Sequence, residues 1–176
     1  PQEVITMLLY KNTLSDVLLE DCLRGFEENK RLKCWQLSQT SWPQDILVGM
    51  TGICAISHVN DSLQERIKAE LSVKNELFSK HRTYCQYYLW NSYSGISSHD
   101  DPIYAFGATI YLNRQWNIDH GGVFMWDEDG KTTAITPEYN CMMLNNSKQM
   151  HRVTAVSPLA PSPRMTMQIW GYNPGE

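Results

Sequence analysis

The pattern of the sequence changes at about residue 82, from helical periodicity to short runs of aromatic and β-branched residues. Such runs occupy positions 84–90, 106–112 and 165–170, and turn-forming pairs such as Gly121-Gly122 lie between them. Short strands separated by frequent turns form sandwiches or barrels, because each strand must bury one face against another layer. The second half of the chain is therefore predicted to fold as a β-sandwich or barrel.

Two amphipathic segments precede these strands. Over residues 13–28 the apolar side chains recur on one helical face with acidic residues opposite, which predicts a helix that packs on a larger body. A second long helix is predicted around the capping-box pattern Ser62-x-x-Glu65, ending at about residue 79. The segment 45–57 is apolar but contains two glycines, so helix and strand both remain open there.

Composition narrows the classes of partner and compartment. The formal net charge is −4 and the basic residues are scattered, which argues against a nucleic-acid partner. The five cysteines are odd in number and form no C-x-x-C pair, which argues against a disulfide framework or a zinc site. No apolar run approaches the roughly 20 residues that span a bilayer, and the start lacks signal-peptide features. We expect one soluble, cytoplasmic domain over residues 1–176 with no membrane partner.

Two histidines and one aspartate form a candidate metal site. In extended backbone, residues i and i+2 project to the same side, so His99 and Asp101 can reach one ion, whereas Asp100 points away. The third ligand must come from a distant strand, and His151 is suitably placed. Two imidazoles and one carboxylate leave three adjacent corners of an octahedron open, as in non-haem iron(II) oxygenases. A His-x-Asp tripeptide alone is a common coincidence, and His120 is a minor alternative ligand, expected in a loop at the pocket rim.

The residues around this site carry a more specific pattern, with their order preserved over about residues 84–172. They are His99-Asp100-Asp101, the segment 105–113, Trp116, Gly121-Gly122, Pro137, Asn140, His151-Arg152-Val153, Arg164 and Ile169-Trp170. This set resembles the core of the 2-oxoglutarate- and iron(II)-dependent dioxygenases, and most closely their prolyl hydroxylase-like branch. An ordered set of this length is far more specific than any single motif. The N-terminal half matches only in its helical character.

The resemblance implies a fold and an activity. The fold would be mainly β with supporting α-helices, with a double-stranded β-helix (jelly-roll, cupin-like) core over about residues 81–176 and a helical N-terminal support over about 1–80. The activity would be hydroxylation of a C–H bond with Fe(II), 2-oxoglutarate and O2, giving succinate and CO2, with ascorbate as a stimulant. The leading substrate is a prolyl residue in a peptide or protein, followed by an amino acid or another small molecule. The oligomeric state stays open.

The resemblance also assigns roles to individual residues. His99, Asp101 and His151 would hold the iron. Arg164 would pair with the distal carboxylate of 2-oxoglutarate, because a guanidinium is a two-pronged donor that stays charged when buried. Its alternative is a solvated charge, although an unpaired cation at the start of an apolar strand is unfavourable. Tyr111 would add a phenolic hydrogen bond to the same co-substrate, or else be an ordinary core tyrosine.

The substrate side of the pocket is assigned to aromatic residues. Tyr93 and Trp170 are the candidates, although aromatic residues in strands belong more often to the core. The strand 84–90 and the loop 92–98 would form part of the rim. Gln168 stands where relatives carry a small hydroxyl residue near the distal carboxylate, so that contact is expected to differ here.

Two other functions remain open from the sequence. The first is a non-catalytic jelly-roll binding module, against which the complete metal set argues. The second is a cupin-type metalloenzyme that uses iron, manganese or nickel without 2-oxoglutarate. Arg164 separates these classes, because such an enzyme has no need of an arginine for a dicarboxylate.

Overall fold

The structure, a computed structural model, describes residues 7–37, 44–47, 49, 53–146 and 148–173. Within these ranges there are three α-helices: α1 (Asp16–Leu32), α2 (Asp61–Lys74) and α3 (Leu77–Lys80). The strands in the same ranges are β1 (Met7–Tyr10), β2 (Gln36–Leu37), β3 (Cys54–His58), β4 (Arg82–Trp90), β5 (Ile96–His99), β6 (Phe106–Tyr111), β7 (Phe124–Glu128), β8 (Lys131–Ile135), β9 (Met142–Asn146), β10 (His151–Val153) and β11 (Arg164–Tyr172).

The strands form two antiparallel sheets. The major sheet has seven strands in the order β1-β9-β6-β11-β4-β3-β2, and the minor sheet has four in the order β5-β10-β7-β8. From β4 to β11 the chain passes repeatedly from one sheet to the other, which is the winding of a double-stranded β-helix. The predicted mainly β fold with a jelly-roll core is confirmed.

Side chains of the major sheet alternate between a helix-facing side and an inner side. In β4, Cys85 and Tyr87 join the core beneath the helices, whereas Tyr88 and Trp90 line a cavity on the opposite face. This alternation follows from the pleat, which turns successive side chains to opposite faces of a strand. One set of residues therefore stabilises the fold, and the other set is available for a site.

The helices cover the outer face of the major sheet. Helix α1 begins after Ser15, whose hydroxyl accepts a hydrogen bond from the Leu18 backbone N–H, so the helix lies slightly later than the predicted 13–28. The core beneath the helices includes Leu18, Leu19, Cys22, Phe26, Leu63, Ile67 and Leu71. No helix in the described part of the chain is both long enough and apolar enough to cross a membrane.

The second predicted helix differs from the observed one at both ends. Asn60 caps α2, accepting hydrogen bonds from the Ser62 and Leu63 backbone N–H groups, so Ser62 lies inside the helix rather than at its cap. The helix stops before Asn75, which is extended and whose side chain accepts from the Leu77 N–H. The Asn75 side chain thus accepts an N–H that a further turn of α2 would have used, so α2 ends there and α3 is a separate short helix.

The N-terminal half also supplies strands, which the helical pattern did not predict. Strands β1, β2 and β3 pair at the two edges of the major sheet. β3 shows that the end of the open segment 45–57 is a strand, while positions 48 and 50–52 lie outside the described residues. The two halves of the chain thus build one continuous seven-stranded sheet.

Candidate active site

Sheet pairing brings the three predicted metal ligands together. His99 at the end of β5 lies directly opposite His151 at the start of β10, and Asp101 follows in the next turn. The Asp101 carboxylate lies 3.3 Å from Nε2 of His151 and 3.9 Å from Nε2 of His99. All three donor atoms lie within 4.8 Å of one another. Ligands bonded at about 2.1 Å to an octahedral ion lie about 3 Å apart, so small side-chain movements suffice to hold one ion.

Burial shifts the pKa values of Asp101 and His151 but leaves both in forms that can bind a metal at neutral pH. Desolvation raises the pKa of Asp101 to about 6, against the opposing effect of the neighbouring His99. Desolvation also lowers the pKa of His151 to about 4. At neutral pH, therefore, His151 is neutral and Asp101 is mostly ionised. These are the forms that bind a divalent cation, and bound metal would favour them further.

Backbone carbonyls orient both histidine rings. Nδ1 of His99 lies 2.7 Å from the Ser97 carbonyl, and Nδ1 of His151 lies 2.8 Å from the Gln149 carbonyl. A carbonyl only accepts, so each Nδ1 carries the proton and each Nε2 keeps its lone pair for a metal. The Asn145 amide also lies 3.1 Å from Nδ1 of His151. The protonated Nδ1 requires the Asn145 oxygen there, and this orientation satisfies the buried Oδ1, which otherwise has no partner.

Arg164 presents a buried cation without an anionic partner. Its side chain is 1% exposed, and none of its three guanidinium nitrogens has a hydrogen-bond partner among the described residues. The guanidinium lies over the rings of Trp90 and Tyr111, at 4.9 and 5.4 Å from their centroids. Gly122 makes room for it, since an added Cβ would overlap with the Arg164 side chain. Burial of an unpaired charge is unfavourable, so this position is suited to an incoming carboxylate.

Tyr111 lies beside this guanidinium. It is fully buried, its hydroxyl has no hydrogen-bond partner within the described residues, and it is not among the residues that line the cavity. Burial raises the pKa of the phenol to about 12, with Arg164 opposing the rise, so the group is a neutral donor. The structure thus places Tyr111 next to Arg164, and the expected hydrogen bond from its hydroxyl to the co-substrate stays a prediction.

One cavity of about 430 Å³ joins the metal triad to Arg164. His99 and His151 of the minor sheet, with Asp101 in the turn after β5, line one part of it, and Arg164 of the major sheet lines another. Its volume is typical of pockets that bind small molecules. A ligand could therefore reach a metal at one end and the guanidinium at the other within this one cavity.

The predicted aromatic residues of the substrate side divide into two groups. Trp170 lines the cavity and stacks on Tyr104, with ring centroids 4.3 Å apart. Tyr93 does not reach the cavity, because it stands in the turn after β4 with a φ of 67° and its side chain is 52% exposed. His120, expected at the rim, lies in a short 3₁₀ turn against Trp116 and does not line the cavity either.

Two further polar residues follow Arg164 on the same face of β11. Thr166 follows Arg164 on the same face of β11, and its Oγ1 accepts a hydrogen bond from Nε1 of Trp90 at 3.1 Å. Gln168 lies one step further and binds Thr109. The period of two along β11, counted from Arg164, could have identified both, together with Trp170. The loop residue Tyr104 had no comparable signal.

Comparison with known proteins bears on the fold. No protein-family model matches the sequence, and no curated protein sequence matches it. Among solved structures it is similar to a prolyl-4-hydroxylase of Pseudomonas putida, with 14% identity and a TM-score of 0.73 over 96% of this chain and 92% of the other. It is also similar to a Trichoplax adhaerens prolyl hydroxylase, solved with a hypoxia-inducible-factor peptide fragment. The identity is 16% and the TM-score 0.75, over 96% of this chain and 84% of the other.

A third similar structure is of an enzyme from nogalamycin biosynthesis. The epimerase SnoN of nogalamycin biosynthesis, in complex with Fe3+, alpha ketoglutarate and nogalamycin RO, gives 8% identity and a TM-score of 0.67 over 96% and 79% of the chains. The chain shares their fold. The expected resemblance to prolyl hydroxylases is thereby confirmed at the level of architecture, and the function has to be argued from the residues of the site.

Proposed function

We propose that this protein is an Fe(II)- and 2-oxoglutarate-dependent oxygenase that hydroxylates a C–H bond. The observation that carries the proposal is that the His-Asp-His triad and the unpaired Arg164 open into one cavity. A cation at one end and a guanidinium at the other call for a dicarboxylate that can also chelate a metal. A metalloenzyme without such a co-substrate, or a binding module, gives Arg164 no role.

The donor set fits Fe(II), and the three ligands would leave three adjacent coordination positions for co-substrate and O2. When bound, the iron supplies the oxidative decarboxylation of 2-oxoglutarate to succinate and CO2, coupled to hydroxylation of the substrate. Arg164 would hold the distal carboxylate through two parallel N–H···O hydrogen bonds. Tyr111 would donate its otherwise unpaired hydroxyl hydrogen to the same carboxylate. Trp90 and Tyr111 keep the guanidinium in place by stacking on its faces.

The proposed substrate is a prolyl residue in a peptide or protein, with a related amino acid or another small molecule as the alternative. Two observations support this choice. Two of the similar folds are prolyl hydroxylases, one of them solved with a peptide. The stacked rings of Tyr104 and Trp170 also give the cavity an apolar aromatic wall that suits a small saturated ring.

The test is formation of succinate from 2-oxoglutarate by the purified protein with Fe(II), O2 and ascorbate. His99→Ala and Asp101→Ala should abolish succinate formation and weaken Mn(II) binding, measured by calorimetry. His58→Ala removes a half-exposed histidine outside the site and should change neither. Wild-type rates in a folded His99→Ala variant, or wild-type protein that does not bind Mn(II), would refute the proposal.

A further inference from the structure

A row of polar side chains crosses the inner face of the major sheet beside the cavity. Gln86 of β4, Gln168 of β11 and Thr109 of β6 are direct neighbours in the strand register. All three line the cavity, and none belongs to the metal or co-substrate set. The next inner-face residue along β11 is Trp170, which stacks on Tyr104. The row is therefore a second polar element that faces the space for a ligand.

The hydrogen bond between Thr109 and Gln168 fixes the orientation of the glutamine amide. Oγ1 of Thr109 lies 2.6 Å from Oε1 of Gln168. This distance suits an O–H···O bond and is short for an N–H···O bond, so the hydroxyl donates to the amide oxygen. The Nε2 group is thereby directed away from Thr109 and has no hydrogen-bond partner in the described ranges.

Nε2 of Gln168 lies next to the backbone of Gly107, which has no side chain. A Cβ added to Gly107, which also lines the cavity, would lie 3.2 Å from Nε2 of Gln168 and 3.1 Å from the ring of Trp170. With only hydrogen at this position, the N–H₂ donors and the Trp170 ring stay accessible from the same space. A ligand group that accepts a hydrogen bond and adjoins an apolar ring matches this pair.

We propose that Gln168 determines substrate specificity by donating a hydrogen bond from Nε2 to an uncharged carbonyl oxygen of the substrate. The inference rests on the proposed function, which assigns Arg164 to the co-substrate. Arg164 is the only lysine or arginine among the described residues that line the cavity, and Asp100 adds a negative charge there. A substrate carboxylate would find no cation of its own, whereas a neutral carbonyl needs only the neutral donor. The cavity thus selects an amide-bearing residue of a peptide over a free amino acid.

Binding of two small probes tests this selection. Protein loaded with Mn(II) and 2-oxoglutarate is titrated with N-acetyl-L-prolinamide and with L-proline, followed by ligand-observed NMR. The wild-type protein should bind the amide more tightly than the free amino acid. Gln168→Met keeps the length of the side chain but removes the donor, and should raise the Kd for the amide about 3- to 10-fold. Gln115→Met, at an exposed position, is the matched control and should leave this Kd unchanged.

A second variant tests the orientation of the amide. Thr109→Val removes the hydroxyl that fixes Oε1 at nearly constant volume, and should raise the Kd for the amide about 2- to 3-fold. Thr133→Val on the exposed strand β8 is its control. Tighter binding of L-proline, no binding of the amide, or an unchanged Kd in Gln168→Met would overturn the role of Gln168. Titration of the Mn(II)-loaded wild-type protein with 2-oxoglutarate, without either probe, is the separate check. If 2-oxoglutarate does not bind, the proposed function is refuted rather than the role of Gln168.

Discussion

Replacement of Arg164 by methionine distinguishes a ligand-binding arginine from a structural one, because the two roles predict opposite changes in stability. A structural arginine is stabilised by partners inside the protein, so its loss destabilises the fold. The guanidinium of Arg164 is fully buried and has no hydrogen-bond partner on any of its three nitrogens within the described chain. Methionine fills a similar volume with apolar atoms. We therefore expect the ligand-free variant to be more stable than the wild-type protein.

The magnitude follows from the contacts. A buried donor without a partner is unfavourable by about 1–3 kcal/mol, and three nitrogens are in this state. Stacking on Trp90 and Tyr111 offsets this by about 0.5–2 kcal/mol for each ring. The balance favours the variant, and we expect Arg164→Met to raise the free energy of unfolding by about 1–4 kcal/mol, the range measured when buried ionic groups are replaced by apolar ones. Loss of one partner of a buried charge pair weakens binding by about 2–5 kcal/mol, so the Kd for 2-oxoglutarate should rise about 30-fold or more.

Two measurements decide the matter. Urea unfolding of the metal-free protein gives the stability change, and calorimetric titration of the Mn(II)-loaded protein with 2-oxoglutarate gives the affinity. Arg114→Met is the control, since Arg114 is an exposed arginine paired with Glu20 and should change stability by less than about 0.5 kcal/mol. A destabilised Arg164→Met variant with unchanged 2-oxoglutarate affinity would show that the guanidinium serves the fold and refute the assigned role.

Three further predictions concern the surroundings of the site. Gly122→Ala adds a Cβ that overlaps with Arg164 and should destabilise the protein by about 1–3 kcal/mol more than Gly130→Ala, which shares the positive φ but has open space; equal losses in urea unfolding would contradict this. Asn145→Leu removes the oxygen that supports the second metal-binding imidazole, so the Kd for Mn(II) should rise about 10- to 100-fold in calorimetry, and an unchanged Kd would refute that support. Because protons compete with metal for the Asp101 carboxylate below its pKa of about 6, the Kd for Mn(II) should rise about fivefold from pH 6 to pH 5; a flat profile over that range would count against Asp101 as a ligand.

Local periodicity could predict much of the fold and part of the site. The spacing of His99 and Asp101 predicted two candidate ligands on one side of a short segment, and the runs 84–90 and 165–170 predicted the strands β4 and β11. Their meeting with His151 was different. It depends on β5 pairing with β10 in a register that sets the two histidines opposite each other, and no local pattern encodes that pairing. The sequence offered His151 as a candidate third ligand, and the ordered resemblance to a family made that choice specific.

The expectations that failed were those that local backbone geometry decides. Tyr93 is an aromatic residue of the kind that lines pockets, but its backbone is left-handed and its side chain faces solvent. The second helix has a continuous apolar stripe, yet Asn75 competes for the backbone N–H of Leu77 and ends the helix early. In each case one residue in a turn outweighed a pattern spread over many. Such turns depend on a few specific hydrogen bonds, which average residue propensities do not predict.

The distribution of unsatisfied groups argues for a ligand site rather than a poorly packed region. Away from the cavity, the buried side chain of Asn140 is paired, since its amide binds both backbone groups of Leu14. Among the described residues, and with the Asn145 oxygen bound to His151 as above, buried side-chain nitrogen and oxygen atoms without partners belong to Arg164 and Tyr111, together with the indole nitrogen of Trp35. Two of these residues meet at one end of the cavity, because Arg164 lines it and the Tyr111 ring lies against the Arg164 guanidinium. The Asp101 carboxylate, which lines the same cavity, has a raised pKa. Native proteins leave few such groups, and where they cluster, a bound partner accounts for them best. A divalent metal ion would pair with the Asp101 carboxylate, and a dicarboxylate bound to that metal would pair with the Arg164 guanidinium and the Tyr111 hydroxyl. No single ion or apolar ligand would do both.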